Sequence, residues 1–173
     1  KRKFFGTLEN IYSFFSLYAN IDGFEYKEDH VDIKIRPELD RWIISELNSL
    51  IIQVDSDLGN YDLTPAARNI NDFVQEKLSN WYVRLSRRRF WKGEYNEDKI
   101  SAYQTLYECL VKVSKLISPI APFYSEHIFQ SLNMVSKRED IDSVHLSSFP
   151  NSIPEVVDNK LENKINQIRN ICS

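Results

Sequence analysis

Apolar residues recur along most of the chain at alternating steps of three and four, the period of an α-helix that buries one face. Long runs of this kind, joined by short connections, favour an all-α fold, an antiparallel bundle of about five main helices. The predicted apolar faces are Phe4, Leu8, Ile11, Phe15 and Tyr18; Leu39, Ile43, Leu47, Leu50, Val54 and Leu58; Ile70, Val74, Leu78, Trp81 and Leu85; Ile100, Tyr103, Tyr107, Leu110, Val113 and Ile117; a short helix over 123–132; and Leu161, Ile165 and Ile168 in a last helix over 155–171.

Proline and polar residues mark where the predicted helices begin and end. Pro37 stands at the start of the second helix, where its fixed φ suits the first turn. Thr64 is the predicted N-cap of the third helix, with Pro65 at its first position. If that helix continues to Trp91, it has about 27 residues and a length of roughly 40 Å. Residues 93–97 then turn the chain into the fourth helix.

The remaining segments are shorter and less regular. Residues 30–35 alternate between apolar and polar positions, so a short edge strand is predicted there. Residues 136–142 form a charged linker. We therefore expect a helical bundle over residues 1–134, followed over 135–173 by an exit linker and a C-terminal helix. The thin apolar face of that helix needs a partner surface outside the chain, and the start KRKFF, without a methionine, suggests a segment of a longer protein.

Composition narrows the function classes. Aromatic residues make up 13% of the chain, with only four glycines and six prolines, which favours long helices over turn-rich sheet. The net charge of −3 argues against a protein that contacts nucleic acid over its whole surface. Cys109 and Cys172 are far apart, which indicates two reduced thiols in a cytoplasmic protein. No apolar run approaches 18 residues and no signal peptide is present, so neither membrane insertion nor export is expected.

No arrangement of residues in the sequence indicates catalysis. The four glycines are isolated, so there is no glycine-rich phosphate loop. The three histidines are scattered, and a zinc site is therefore not expected. We predict no catalytic residues and no metal ligands, and a binding role whose associated chemistry lies elsewhere in a parent protein.

Residues 78–92, LSNWYVRLSRRRFWK, concentrate positive charge among flat aromatic rings. No acidic residue lies between Glu76 and Glu94. Cations of this kind hold phosphates while rings and guanidinium planes stack on unpaired bases, so the stretch favours single-stranded RNA over a merely solvated helix face. The candidate RNA-binding residues are Asn80, Trp81, Arg84, Arg87, Arg88, Trp91 and Lys92.

Helical spacing separates these candidates into groups. Asn80, Arg84, Arg87, Arg88 and Trp91 fall on one stripe of a helix, and like charges one turn apart repel each other unless an anionic partner is present. The neighbouring Arg89 projects nearer the core side, so we expect it to pair with a protein carboxylate. We expect Trp81 to pack in the core in preference to contacting RNA, and Tyr82 and Phe90 to be packing residues. For Asn80, an interhelical hydrogen bond or a cap is expected as much as an RNA contact.

At residues 80–91, NWYVRLSRRRFW, the sequence resembles the isoleucyl-tRNA synthetase family. The likeness continues through KFFGTLENIYSFFSLYANIDGF (3–24), RPELDRWIISELNSLI (36–51), SPIAPFYSEHIFQSL (118–132) and SVHLSSFP (143–150), and so covers about residues 1–150. The resemblance implies a class I anticodon-binding domain, a helical bundle that grips the anticodon stem-loop of isoleucine tRNA. It also implies that the catalytic and editing domains of the same parent chain are its partners.

The resemblance places the chemistry in the parent enzyme, which charges tRNA with isoleucine at the expense of ATP. ATP and magnesium, with zinc as a further candidate, are therefore expected there and not in this chain. Two alternatives stay open at the level of sequence. One is the corresponding domain of a valyl- or leucyl-type synthetase, and the other is a helical protein-interaction module whose basic stripe docks an acidic partner.

Overall fold

The computed structural model describes residues 2–92 and 94–171. These ranges contain six helices and three short 3-10 turns, and no strand occurs in them, so the all-α prediction is confirmed. The helices are α1 (Arg2–Asp22), α2 (Glu38–Gly59), α3 (63–91), α4 (Glu97–Ile117), α5 (Pro122–Ser136) and α6 (Asn159–Ile171); the 3-10 turns are Ile33–Ile35, Val144–Leu146 and Pro154–Val156. Each of these six helices corresponds to one of the helical segments predicted from the sequence, including the short helix over 123–132.

Helix α4 forms the centre of the bundle. It is buried along most of its length and packs against α1, α2, α3 and α5. Its first turn is capped by Asn96, whose side-chain oxygen accepts the backbone N–H of Lys99 at 3.0 Å. Gln104 of α4 also accepts the backbone N–H of Val31 at 2.9 Å, and so fixes the loop that joins α1 to α2.

Some predicted boundaries and elements are wrong. Residues 30–35 form no strand, because the Asp32 side chain accepts the backbone N–H of Lys34 and closes a 3-10 turn instead. The last helix begins at Asn159, not at residue 155, since residues 154–156 form a separate turn. Of the predicted turn at 93–97, Gly93 lies outside the described residues, as does Cys172.

Helix α3 is continuous from residue 63 to 91, as predicted, but it is not a regular α-helix throughout. It starts at Leu63 after Asp62, so Thr64 is not its N-cap, and Pro65 occupies a later position of the first turn, where its missing N–H is equally harmless. Three segments follow each other without a break: α-helical Leu63–Asp72, a π-helical Phe73–Val83, and α-helical Arg84–Trp91.

The π-helical segment changes which residues face the core. Its hydrogen bonds span five residues instead of four, so side chains on one face recur at steps of four and five. The buried positions after Leu78 are Tyr82, Val83, Ser86 and Phe90. The prediction that Leu85 faces the core is therefore wrong, because it is 54% exposed. Trp81, also predicted at the core, is only partly buried at its edge.

Across the described ranges, no helix combines the length and apolar character that crossing a bilayer requires.

Candidate nucleic-acid interface

Arg84, Arg87 and Arg88 lie on the last, α-helical segment of α3, and all three are exposed. Steps of three and four residues bring them onto one face of that segment. Among the described residues, no carboxylate lies within 4.0 Å of their guanidinium groups, although nine other ion pairs form in the same part of the chain. Three cations on one face, without a carboxylate partner in the described ranges, are suited to binding an anion.

Two further candidates extend this face at the end of the helix. Trp91 is 60% exposed and ends α3, and Lys92 is exposed directly after it. A large ring in contact with water costs free energy unless a partner covers it. An exposed indole next to four cations is suited to stacking against a nucleic-acid base.

Helix α1 supports one of the three arginines. The guanidinium carbon of Arg87 lies 6.0 Å from the centre of the Phe14 ring, within the range of a cation–π contact. The Phe14 ring meets the buried Phe90 edge-on, with 5.1 Å between their centres. Phe14 therefore connects Arg87 to the aromatic core and restricts where its guanidinium group can lie.

The side chain of Arg89 points into the protein, away from the face that carries the other three arginines, as the sequence predicts. Its Nη1 and Nη2 donate to the two carboxylate oxygens of Asp40 at 2.6 and 2.8 Å, and its Nε donates to Asp98 at 3.0 Å. Burial by itself disfavours the charged guanidinium, but the hydrogen bonds and charge of Asp40 outweigh it and raise the pKa of Arg89. The expected ion pair with a protein carboxylate is confirmed.

Asp40 is the centre of a buried polar network under the arginine-bearing segment. Its carboxylate, which is fully buried, also accepts the Tyr82 hydroxyl at 2.9 Å and the Ser101 hydroxyl at 2.7 Å. Burial, followed by the charge of Asp40, raises the pKa of Tyr82. The network joins α2, α3 and α4, so it holds the segment that carries Arg84, Arg87 and Arg88 in one orientation.

The remaining two candidates are already engaged within the protein. Asn80 is exposed, but its amide donates to Glu76 one turn earlier at 3.2 Å. The Trp81 ring lies under the guanidinium group of Arg169 from α6, 5.7 Å from its carbon to the ring centre. Both residues therefore have intramolecular contacts, but Asn80 bonds within its own helix and neither caps it nor reaches another helix.

Sequence reasoning missed three residues that shape this surface: Phe14, Asp40 and Arg169. Phe14 was outside the predicted apolar face of α1, and Asp40 is a fully buried acid that is paired to α3. An acid one turn into an otherwise apolar helix face was a usable indication for Asp40. Nothing in the sequence connects Arg169 with Trp81.

The described residues present no candidate for catalysis or metal binding at this surface. They contain no group of three or more histidine, cysteine, aspartate or glutamate side chains placed to hold a metal ion. Cys109 is buried, and burial raises the pKa of its thiol, so it is not poised as a nucleophile. The exposed arginines and the Trp91 ring are suited to binding a polyanion whose own rings can stack on the indole.

Known proteins with similar sequences support the same interpretation of this surface. The family model described as the anticodon-binding domain of tRNA ligase matches residues 40–173. An isoleucine–tRNA ligase of Bacteroides thetaiotaomicron is 53% identical over the whole chain, and those of Cytophaga hutchinsonii and Dehalococcoides mccartyi are 52% and 51% identical over 100% and 99% of it. The chain spans 15%, 16% and 17% of the lengths of these three relatives. The resemblance described from the sequence is confirmed, and the chain belongs to the family of anticodon-binding domains of tRNA ligases.

Proposed function

We propose that this chain is the anticodon-binding domain of an isoleucine–tRNA ligase, and that the exposed face of α3 binds the anticodon loop of isoleucine tRNA. The family match and the names of the relatives support the first part. The observation that carries the second part is the set of three exposed, unneutralised arginines on a helix anchored by the pair Arg89–Asp40.

The binding mechanism follows from the chemistry of the side chains. The planar guanidinium groups of Arg84, Arg87 and Arg88 form bidentate hydrogen bonds with phosphates or base edges. The indole of Trp91 offers a stacking surface worth about 1–3 kcal/mol per base, and Lys92 adds a point charge for a phosphate. Because an anticodon loop is single-stranded, its bases can leave their stack and meet these groups.

The activity of the whole enzyme belongs to the parent protein. There we place the ATP-dependent charging of tRNA with isoleucine, together with ATP and magnesium, with zinc as a further candidate metal. The catalytic and editing domains of the same parent chain are the proposed protein partners, and the cytoplasm is the proposed compartment. None of the chain's own residues is assigned a catalytic step.

Binding of purified tRNAs to the 173-residue chain tests this function. Isoleucine tRNA is expected to bind more tightly than valine tRNA, and the triple variant Arg84→Ala, Arg87→Ala, Arg88→Ala is expected to lose that binding. A matched control is Arg138→Ala, which removes an arginine that lies over the Tyr26 ring, outside the proposed interface. Equal binding of both tRNAs would contradict the isoleucine assignment, and binding that survives the triple substitution would contradict the interface.

A further inference from the structure

Helix α1 carries a strip of apolar side chains next to the arginine face. The strip consists of Phe14, Leu17, Tyr18 and Ile21, which steps of three and four residues bring onto one face of the helix. Phe14 and Tyr18 are partly buried against the core, whereas Leu17 is 55% exposed and Ile21 is 68% exposed. A partner that covers these two aliphatic side chains gains free energy, because it removes their apolar surface from water.

The strip is continuous with the arginine face. At one end, Phe14 lies 6.0 Å from the guanidinium carbon of Arg87, and its ring centre lies 5.0 Å from that of Tyr18. At the other end, Asp22 follows the strip and pairs with the Nζ of Lys99 at 2.7 Å. The strip therefore runs from the arginine-bearing segment of α3 to the first turn of α4.

The charge of this part of α1 suits a polyanion. Residues 10–21 contain no charged side chain, so no acid along the strip repels a phosphate. The carboxylate of Asp22, which ends the uncharged run, is neutralised by Lys99. An RNA held by the arginines of α3 thus meets an uncharged apolar surface beside them. The part of an RNA loop that suits such a surface is the flat face of an unstacked base, against which leucine and isoleucine side chains can pack.

We propose that Leu17 and Ile21 contact the face of an unstacked base of the anticodon loop, so that the RNA interface is built from α1 and α3 together. The arginines of α3 hold phosphates in this arrangement, and the strip receives a base. The inference rests on the proposed function, since it adds a base contact to the same binding surface.

The test measures binding of an RNA hairpin with the anticodon stem and loop of isoleucine tRNA to the 173-residue chain at a series of salt concentrations. The double variant Leu17→Ala, Ile21→Ala is expected to weaken binding about tenfold. The slope of log K against log salt is expected to stay the same, because no phosphate contact is lost. Alanine favours the helix and both side chains are exposed, so the melting temperature is expected to change little.

Leu63 provides a matched control. It is also a leucine with 55% exposure in a helix, but it begins α3, roughly 30 Å along that helix from Arg84. Leu63→Ala is therefore expected to change neither the affinity nor the salt slope. A loss of affinity equal to that of the double variant would overturn the inference, because the effect would not be local to the strip.

Hairpins that each lack the base of one loop nucleotide test whether the strip contacts a base. At one loop position, removal of the base is expected to weaken binding of the wild-type chain about tenfold. On that hairpin the double variant is expected to bind as tightly as the wild-type chain, since the contact is already lost. A tenfold difference between the two proteins on every such hairpin would overturn the base contact.

The outcomes separate this inference from the proposed function. If Arg84→Ala weakens binding but the double variant binds like the wild-type chain, the inference is overturned and the proposed function stands. If neither change alters binding, both are overturned. A smaller salt slope in the double variant would also overturn the inference, because it would indicate a lost phosphate contact.

Discussion

At the scale of residues, consecutive arginines of α3 have opposite environments. Arg88 is exposed and faces water, whereas Arg89 donates to the fully buried carboxylate of Asp40. Helix geometry causes this difference, because neighbouring residues are turned by about 100° around the axis. One short run of positive charge therefore serves two purposes: Arg89 attaches the helix to the bundle, and its neighbours remain available to a partner.

The outward-facing arginines should affect binding and not stability. Arg84→Ala and Arg88→Ala, each made separately, are expected to weaken binding of isoleucine tRNA while the free energy of unfolding changes by no more than about 0.5 kcal/mol. The reason is that both side chains are exposed and pair with no carboxylate in the described ranges. Fluorescence-monitored binding and a thermal melt measure the two quantities. Unfolding of either variant at a clearly lower temperature, with unaltered affinity, would show that these arginines are structural.

The inward-facing arginine should behave in the opposite way. Arg89→Ala is expected to destabilise the chain by about 3–5 kcal/mol, because the Asp40 carboxylate is left buried without its counter-charge. Urea unfolding measures this loss, with Arg88→Ala as the control on the same turn. A loss below about 1 kcal/mol would mean that the pair Arg89–Asp40 is not what holds the helix.

The sequence was sufficient to predict the direction of each arginine but not its partner. Helical spacing and the absence of nearby acids indicate which guanidinium groups face outward. The choice of Asp40, 49 residues earlier in the chain, depends on how α2 packs against α3, and no local pattern contains that information. The same limitation applies to Arg169 and Trp81, which meet only because α6 lies along α2.

At the scale of elements, the π-helical segment 73–83 determines how α3 presents its two faces. A regular α-helix continued from Leu78 would bury Trp81 and Leu85. The wider turns instead bury Tyr82 and Val83, followed by Ser86 and Phe90, and leave Leu85 exposed. The tyrosine hydroxyl thereby reaches Asp40, which links the helical register to the anchoring of the arginine face.

Two matched substitutions on α3 test this register. Leu78→Ala is expected to cost about 2–5 kcal/mol of stability, since Leu78 is fully buried and its removal leaves a cavity. Leu85→Ala is expected to change stability by no more than about 0.5 kcal/mol, because that side chain is mostly exposed. Chemical unfolding of the two variants compares them directly. Comparable losses would indicate the regular α-helical register and contradict the π-helical one.

Most elements were predictable from periodicity, while the exceptions have local physical causes. The four-residue recurrence of Val74, Leu78 and Tyr82 is visible in the sequence, but a period of 3.6 is the default for a helix, and it led to Trp81 and Leu85. The alternation at residues 30–35 resembled a strand, yet a lone strand has no partner for its backbone groups here, and Asp32 closes a turn instead.

At the scale of the whole molecule, the bundle acts as a rigid support for one charged surface. Helix α4 is the packed centre, α2 supplies the buried carboxylate, α1 supports Arg87 through Phe14, and α6 covers Trp81. Rigidity matters because a preorganised cationic face loses little conformational entropy when RNA binds. The small negative net charge of the chain makes this localisation of positive charge more pronounced.

The most direct measurement is a nucleotide-resolution footprint of isoleucine tRNA on the 173-residue chain, with and without the three arginines at 84, 87 and 88. The wild-type chain is expected to protect the anticodon loop from cleavage, and the triple alanine variant, folded to the same helical content, is expected to lose that protection. Protection of the anticodon loop that persists in the triple variant, or protection confined to another part of the tRNA, would contradict this expectation.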